Sequence, residues 1–216
     1  GQKFKGLRVP PMLFERQIRY LAENGWQFVT MTELMALQNV HEKTVAITFD
    51  DGYEDNYTHA FSVLRRYHAK ATLYLVVDRH GRDWSVSKKA HHDTGELARE
   101  PKLSDAQLRE MLDSGVFELG AHSLTHVNLK TASPQQRQHE ILECKQQLEI
   151  QFATTVTSFA YPFGIYEIGD VAITRNAGYL SAVTTTEGID ADIHASPFEL
   201  KRVKISGKDN FLAFLL

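Results

Sequence analysis

Two short clusters in this sequence carry residue types that bind metals and transfer protons. Asp50 and Asp51 directly follow an apolar run, residues 44–49, and adjacent carboxylates repel each other unless a cation, a donor or water satisfies them. His122 and His126 are four residues apart, a spacing that can bring both rings to one side of a helical turn around a shared divalent metal. Each pair also has an ordinary interpretation, because Asp-Asp-Gly is common in solvated turns and the chain has 10 histidines.

Taken together, the clusters offer one Asp and two His ligands, a set that suits zinc and leaves coordination positions open for water and a substrate oxygen. The remaining carboxylate could then serve as the general base.

A third cluster, FAYPFG at residues 159–164, fits either a simple turn with aromatic core residues or a rigid rim. As a rim, it would offer the backbone N–H of Phe163 to an oxyanion and its aromatic faces to a sugar ring.

The elements around these clusters alternate between strand and helix, which favours an α/β fold with a parallel sheet and a barrel-like closure. In such folds chemistry lies at the carboxyl ends of strands, where all three clusters fall. The charged, His-rich residues 78–102 show no steady period and are interpreted as a long loop that shapes a substrate groove. The main predicted elements are a helix that stops at Gly25, strands at 44–49 and 71–77, a helix with a capping box at Ser104 and Gln107, and a helix from Ser133 that buries Cys144.

Bulk composition narrows the class of protein. The chain has 216 residues with 43% hydrophobic composition, enough for one globular domain, and its net charge of -3 gives no reason to expect a nucleic-acid partner. Cys144 is the only cysteine, so no internal disulfide can form. No apolar run approaches the ~20 residues that span a bilayer. Because residue 1 is Gly, we expect residues 1–216 to be a single domain that lacks its natural N-terminus, and with it any signal or anchor.

TFDDG, HSLTH and AYPFG, in this order, resemble the first three motifs of the NodB-type polysaccharide deacetylases, the family 4 carbohydrate esterases, and the resemblance covers most of the chain. It implies an irregular (β/α) barrel of about seven units, a divalent metal such as Zn²⁺, Co²⁺ or Ni²⁺, an acetylated amino-sugar polymer as partner and a location outside the cytoplasm. It also implies that Asp50 is the catalytic base, that the backbone of Phe163 forms the oxyanion hole, and that the metal ligands are Asp51, His122 and His126.

The chain departs from that family pattern at two positions. The third motif commonly opens with an Arg that steadies the base, and here the residue is Ala160, as in the branch that resembles poly-N-acetylglucosamine deacetylases. Arg202 is the candidate replacement, although a solvated surface Arg is an equally good interpretation. The general acid is either His194, the only late histidine, or a histidine upstream of Gly1. The candidate substrate contacts are Tyr53, Trp84 and Tyr161.

The leading hypothesis is metal-dependent hydrolysis of N-acetyl groups from N-acetylglucosamine polymers or oligomers. Two alternatives stay open at this point. One is a catalytically silent carbohydrate-binding module that retains the metal site. The other is a metal-dependent hydrolase of another small amide.

Overall fold

The computed structural model describes residues 5–82 and 99–215 as an α/β fold. Its strands are β1 (Gln27–Phe28), β2 (Thr44–Val45), β3 (Ile47–Asp51), β4 (Ala71–Leu75), β5 (Phe117–Ala121), β6 (Ser158–Ala160), β7 (Ser181–Glu187) and β8 (Leu200–Arg202). Its α-helices are α1 (Pro11–Glu23), α2 (Met31–Ala36), α3 (Ser62–Arg66), α4 (Asp105–Asp113), α5 (Pro134–Phe152), α6 (Ile168–Asn176) and α7 (Phe211–Leu215). A π-helical segment, Asn56–Phe61, runs into α3, and single 3₁₀ turns lie at Lys5–Leu7, Leu129–Thr131 and Pro162–Gly164.

The main sheet is parallel and follows chain order, β3-β4-β5-β6-β7-β8, while β1 and β2 form a separate two-stranded parallel sheet. Asp51, Leu75 and Ala121 are aligned at the ends of the first three strands, so the carboxyl ends share one edge. Arg202 of β8 donates to Asp50 and Thr48 of β3, so the two edge strands curl toward each other. The predicted α/β barrel is confirmed in the form of a six-stranded half-barrel.

The two faces of the sheet carry different cores because side chains alternate along each strand. The outer face packs against the helices and includes Leu73, Phe117 and Phe159. The inner face is smaller, and Tyr74 packs there with Met31 of α2. The amide of Met31 donates to Thr72 Oγ1 at 3.0 Å, and that of Thr32 donates to Glu118, so α2 closes the amino-terminal end of the half-barrel.

Several local signals act as predicted. The first helix, α1, begins at Pro11 and ends at Glu23, before Gly25. The capping box of Ser104 and Gln107 opens α4. Ser133 caps α5, and Cys144 is fully buried on that helix. Among the described residues, none of the helices is both long and apolar enough to cross a bilayer.

Arg79 ties together the two ends of the segment predicted as a long loop. Its side chain is only 2% exposed, and its guanidinium donates to Leu103 O at 2.8 Å, to Val77 O at 3.3 Å and to Asp105 Oδ1 at 2.6 Å. These acceptors offset the cost of burying the guanidinium. The described parts of that segment, residues 78–82 and 99–102, are without regular strand. Trp84, His91 and His92 lie outside the described residues.

Candidate active site

The two adjacent carboxylates at the end of β3 have separate environments because the backbone turns between them. Asp50 lies on the inner face of the sheet with Arg202. Asp51 has a φ of 76° and Gly52 a φ of 85°, so strand geometry ends there. A Cβ at Gly52 would lie within 3.0 Å of Leu75 Cδ1, so this tight turn favours Gly at that position. The turn sends Asp51 toward the histidine cluster.

The segment that carries the two histidines is a loop and not a helical turn. The helical turn that this spacing allows is not formed, because Ser123 and His126 have φ values of 63° and 56°. The amide of His122 instead donates to Leu75 O at 3.0 Å, extending the pairing of β4 with β5. The rings nevertheless meet, with centroids 4.7 Å apart.

Asp51, His122 and His126 together could hold a metal ion. Asp51 Oδ1 lies 3.4 Å from His122 Nε2 and 3.3 Å from His126 Nε2, and the two Nε2 atoms are 3.1 Å apart. Ligands about 2.0–2.1 Å from a tetrahedral zinc ion lie about 3.3–3.4 Å from one another, so the three atoms fit one face of that tetrahedron. Asp51 Oδ1 is also buried without a hydrogen bond in the described part of the chain. The donor set therefore fits a divalent cation.

A backbone carbonyl orients the first histidine of this cluster. His122 Nδ1 donates to Ala160 O at 2.7 Å, and a carbonyl can only accept, so Nδ1 carries the proton. The lone pair of the neutral ring then lies on Nε2, toward Asp51 and His126. A hydrogen bond from the ring nitrogen that does not bind the metal sets both the tautomer and the orientation of a metal-binding histidine. The backbone of Ala160, in the AYPFG motif, thus positions the His122 side chain of the HSLTH motif.

Both carboxylates are held in their charged form. Burial by itself would raise the pKa of Asp51, but the close contacts of its carboxylate with the His122 and His126 rings outweigh burial and keep that pKa below its ordinary value. Burial likewise opposes ionisation of Asp50, and the positive charge of Arg202 reverses the effect, so the pKa of Asp50 is also lowered. Two ionised carboxylates side by side favour a bound cation.

Arg202 makes a two-pronged contact with Asp50. Its Nη1 and Nη2 lie 2.8 and 2.9 Å from the two carboxylate oxygens, and its Nε donates to Thr184 O at 2.8 Å. This fork fixes the plane of the carboxylate as well as its charge. The structure therefore brings the Arg202 suggested by the sequence to Asp50, from β8 and not from the Ala160 position on β6.

Phe163 contacts the cluster directly, and Tyr53 lies two residues after Asp51. The Phe163 ring meets the His126 ring edge-on, with centroids 4.3 Å apart, and Phe163 itself has a φ of 59°. This contact brings the main chain of the third motif to the metal-binding cluster. Tyr53 follows the Asp-Asp-Gly turn and pairs with Lys102, whose Nζ lies 4.5 Å from the centre of the Tyr53 ring.

Two other candidate residues lie away from this cluster. Tyr161 is 1% exposed, its ring packs on Phe159 in the outer core, and its hydroxyl donates to Phe198 O. Period-two alternation from β6 explains this orientation, which does not suit a sugar contact. His194 is exposed in the connection before β8, and its ring nitrogen bonds Leu37 O, just after α2 at the opposite end of the half-barrel. That position gives no support to His194 as the general acid.

Glu140 is a residue near the site that the sequence patterns did not single out. It is buried on α5, and its carboxylate accepts hydrogen bonds from the amide and the hydroxyl of Thr125. The sequence does contain an indication of its role, because Glu140 lies four residues before Cys144 on the apolar stripe of that helix. A charged residue on such a stripe indicates a specific buried partner.

Comparison with known proteins identifies the family. The family model described as polysaccharide deacetylase matches residues 37–182, more than half of the chain. YxkH of Bacillus subtilis (strain 168), whose name assigns it to the polysaccharide deacetylases, is 34% identical over 204 residues, which cover 93% of this chain and 66% of YxkH. The poly-beta-1,6-N-acetyl-D-glucosamine N-deacetylase of Staphylococcus aureus (strain MSSA476) is 23% identical over 189 residues, which cover 82% of this chain and 61% of that protein.

A solved structure extends the similarity to the fold. The Streptococcus pyogenes deacetylase PplD in complex with acetate superposes with a TM-score of 0.79 at 28% identity, over 96% of this chain and 86% of PplD. The chain spans less than two thirds of the length of YxkH and of the staphylococcal deacetylase. Because the family model matches more than half of the chain and YxkH is 34% identical over 93% of it, the chain belongs to the polysaccharide deacetylase family.

Proposed function

We propose that this domain is a metal-dependent deacetylase that hydrolyses N-acetyl groups on N-acetylglucosamine-containing polysaccharides. The observation that carries the proposal is the convergence of Asp51, His122 and His126, with ligand atoms 3.1 to 3.4 Å apart, beside an Arg-paired Asp50. The family of the chain and the name of the staphylococcal relative support the substrate class. Zinc is the metal that best suits one carboxylate and two imidazoles with open positions.

Asp51, His122 and His126 would hold the ion. When bound, the ion supplies positive charge that polarises the acetyl carbonyl and lowers the pKa of water. Neutral imidazoles are needed for this, and the Ala160 contact keeps the His122 Nε2 lone pair directed at the site. The lowered pKa of Asp51 keeps its carboxylate available as the third ligand.

Asp50 is the base in this proposal. It takes the proton of the attacking water, and its pairing with Arg202 keeps the carboxylate ionised and aligned beforehand. The N–H of Phe163 donates to the oxyanion that develops on the acetyl carbonyl. Cleavage of the amide also needs a proton on the leaving nitrogen, and the contact of His194 with Leu37 argues against that residue as its source.

The test measures metal content and acetate release on the same purified sample. We expect a stoichiometric divalent metal and acetate release from poly-N-acetylglucosamine, chitooligosaccharides or peptidoglycan, with Asp50→Asn as the inactive control. Bound metal without release from any acetylated sugar would favour a silent carbohydrate-binding module. Activity only on another small amide would favour a different hydrolase. Comparing the three polymers also identifies the preferred substrate.

A further inference from the structure

The loop that carries both histidines holds an unfavourable backbone conformation. Ser123 and His126 both have left-handed φ values, 63° and 56°, and neither is Gly. Such residues cost free energy and persist only where the surrounding structure holds them. Something outside the loop must therefore fix each half of it.

The first half of the loop is anchored on β4 and the residues that follow it. The amide of His122 donates to Leu75 O at 3.0 Å, and Ser123 O and Leu124 O accept from the amides of Val77 and Asp78 at 3.3 and 2.8 Å. His122 Nδ1 adds its own bond to Ala160 O. These contacts hold His122 but stop before His126.

The second half of the loop is anchored by α5. Both carboxylate oxygens of Glu140 face Thr125, accepting from its amide at 2.9 Å and from its hydroxyl at 2.6 Å. Glu140 is only 3% exposed, and a carboxylate at that depth is costly unless it is fully used as an acceptor. Thr125 is the residue directly before His126, so this pair of bonds fixes the peptide that leads into the second histidine.

We propose that Glu140 is a positioning residue that acts through Thr125 to hold His126 Nε2 in the metal-binding cluster. The inference rests on the proposed metal site. Replacing Glu140 with Ala frees the Thr125 amide and lets the loop relax toward ordinary φ values, which moves His126 away from Asp51 and leaves His122 anchored. Replacing it with Gln keeps both contacts, because the amide oxygen accepts from the Thr125 N–H and the amide NH₂ donates to the Thr125 hydroxyl.

The experiment measures zinc affinity of the metal-stripped protein by competition with a chelator, together with the visible spectrum of the cobalt-loaded form. We expect Glu140→Ala to weaken zinc binding about 10–100-fold, the range seen when the hydrogen bonds that orient metal-binding side chains are lost. The cobalt bands should change with the loss of a nitrogen ligand. Glu140→Gln should restore most of the affinity. Thr125→Val loses only the hydrogen bond of the hydroxyl, so its zinc affinity should fall by less. This variant tests the inference if Glu140→Ala does not fold.

Ile141→Val is the matched control. It removes a buried methyl group at the next position of α5 and keeps the Glu140 carboxylate, so it lowers stability without removing the anchor. Equal zinc affinity of Glu140→Ala and the unaltered protein would overturn the inference, as would an equal loss in Ile141→Val at the same fall in melting temperature. If the unaltered protein binds no divalent metal, the proposed metal site fails as well. The two failures are thereby distinguished.

Discussion

Gly52, the residue after the metal-site Asp51, offers a test of the turn geometry that separates the two carboxylates. Replacement by Ala keeps a small residue but adds a Cβ at a φ of 85°. That left-handed conformation costs about 1–2 kcal/mol for a residue with a side chain. The new Cβ would also lie within 3.0 Å of Leu75 Cδ1, a side chain that is 0% exposed, and overpacking of a tight core costs about 1–3 kcal/mol. The sum is a destabilisation of about 2–5 kcal/mol.

Gly25→Ala isolates the backbone part of this cost. Gly25 has a φ of 75°, and a Cβ built there meets nothing within 4 Å. Its replacement should therefore cost only the backbone contribution, about 1–2 kcal/mol. The difference between the two variants measures the overlap with Leu75.

Urea unfolding of the two metal-free variants and the unaltered protein measures the free energy of unfolding. The comparison is valid if the three proteins show the same dependence of that free energy on urea concentration. Zinc affinity should fall in Gly52→Ala and stay unchanged in Gly25→Ala, because only the first turn adjoins Asp51. Leu75→Ala in the Gly52→Ala background should be less harmful than the sum of the single changes, since the smaller side chain makes room for the Cβ. Equal destabilisation in Gly52→Ala and Gly25→Ala would refute the argument.

Three further predictions concern the site itself. Asp50→Asn should retain metal and lose turnover by about 10²–10⁴-fold, the contribution of a positioned base, whereas Asp51→Asn should lose metal; elemental analysis with acetate release would expose the opposite pattern. His122→Ala and His126→Ala should each lose bound metal, and full metal content in both would contradict the ligand assignment. Burial of Asp50 favours its neutral form and the Arg202 charge counteracts this, so Arg202→Met should raise the pKa of Asp50. The base would then become protonated, and the rate would fall, at a higher pH than in the unaltered protein, which a kcat/KM profile against pH would detect; an unmoved acidic limb would count against the pairing.

The sequence alone determined the order of elements and most of their types. Helix caps such as that of Ser104 with Gln107 depend on neighbours a few residues away, so local physics is sufficient to predict them. The run at residues 44–49, predicted as one strand, is instead divided at Ala46 into β2 and β3, which belong to different sheets. The shared edge of the sheet also followed from the alternation of strands and helices, because parallel crossovers bring all carboxyl ends together. That reasoning, with the family motifs, correctly brought Asp51, His122 and His126 into one cluster.

Tertiary structure decided the contacts whose partners are far apart in the chain. Arg202 reaches Asp50 only because the half-barrel curls until its two edge strands face each other, and no local pattern measures that curvature. Glu140 reaches Thr125 only because α5 packs beside the histidine loop. The histidines lie in a loop and not in the helical turn that their spacing allows. A helical turn would have satisfied its backbone within itself, whereas the His122 amide bonds Leu75 O on β4, an acceptor that only the folded sheet provides.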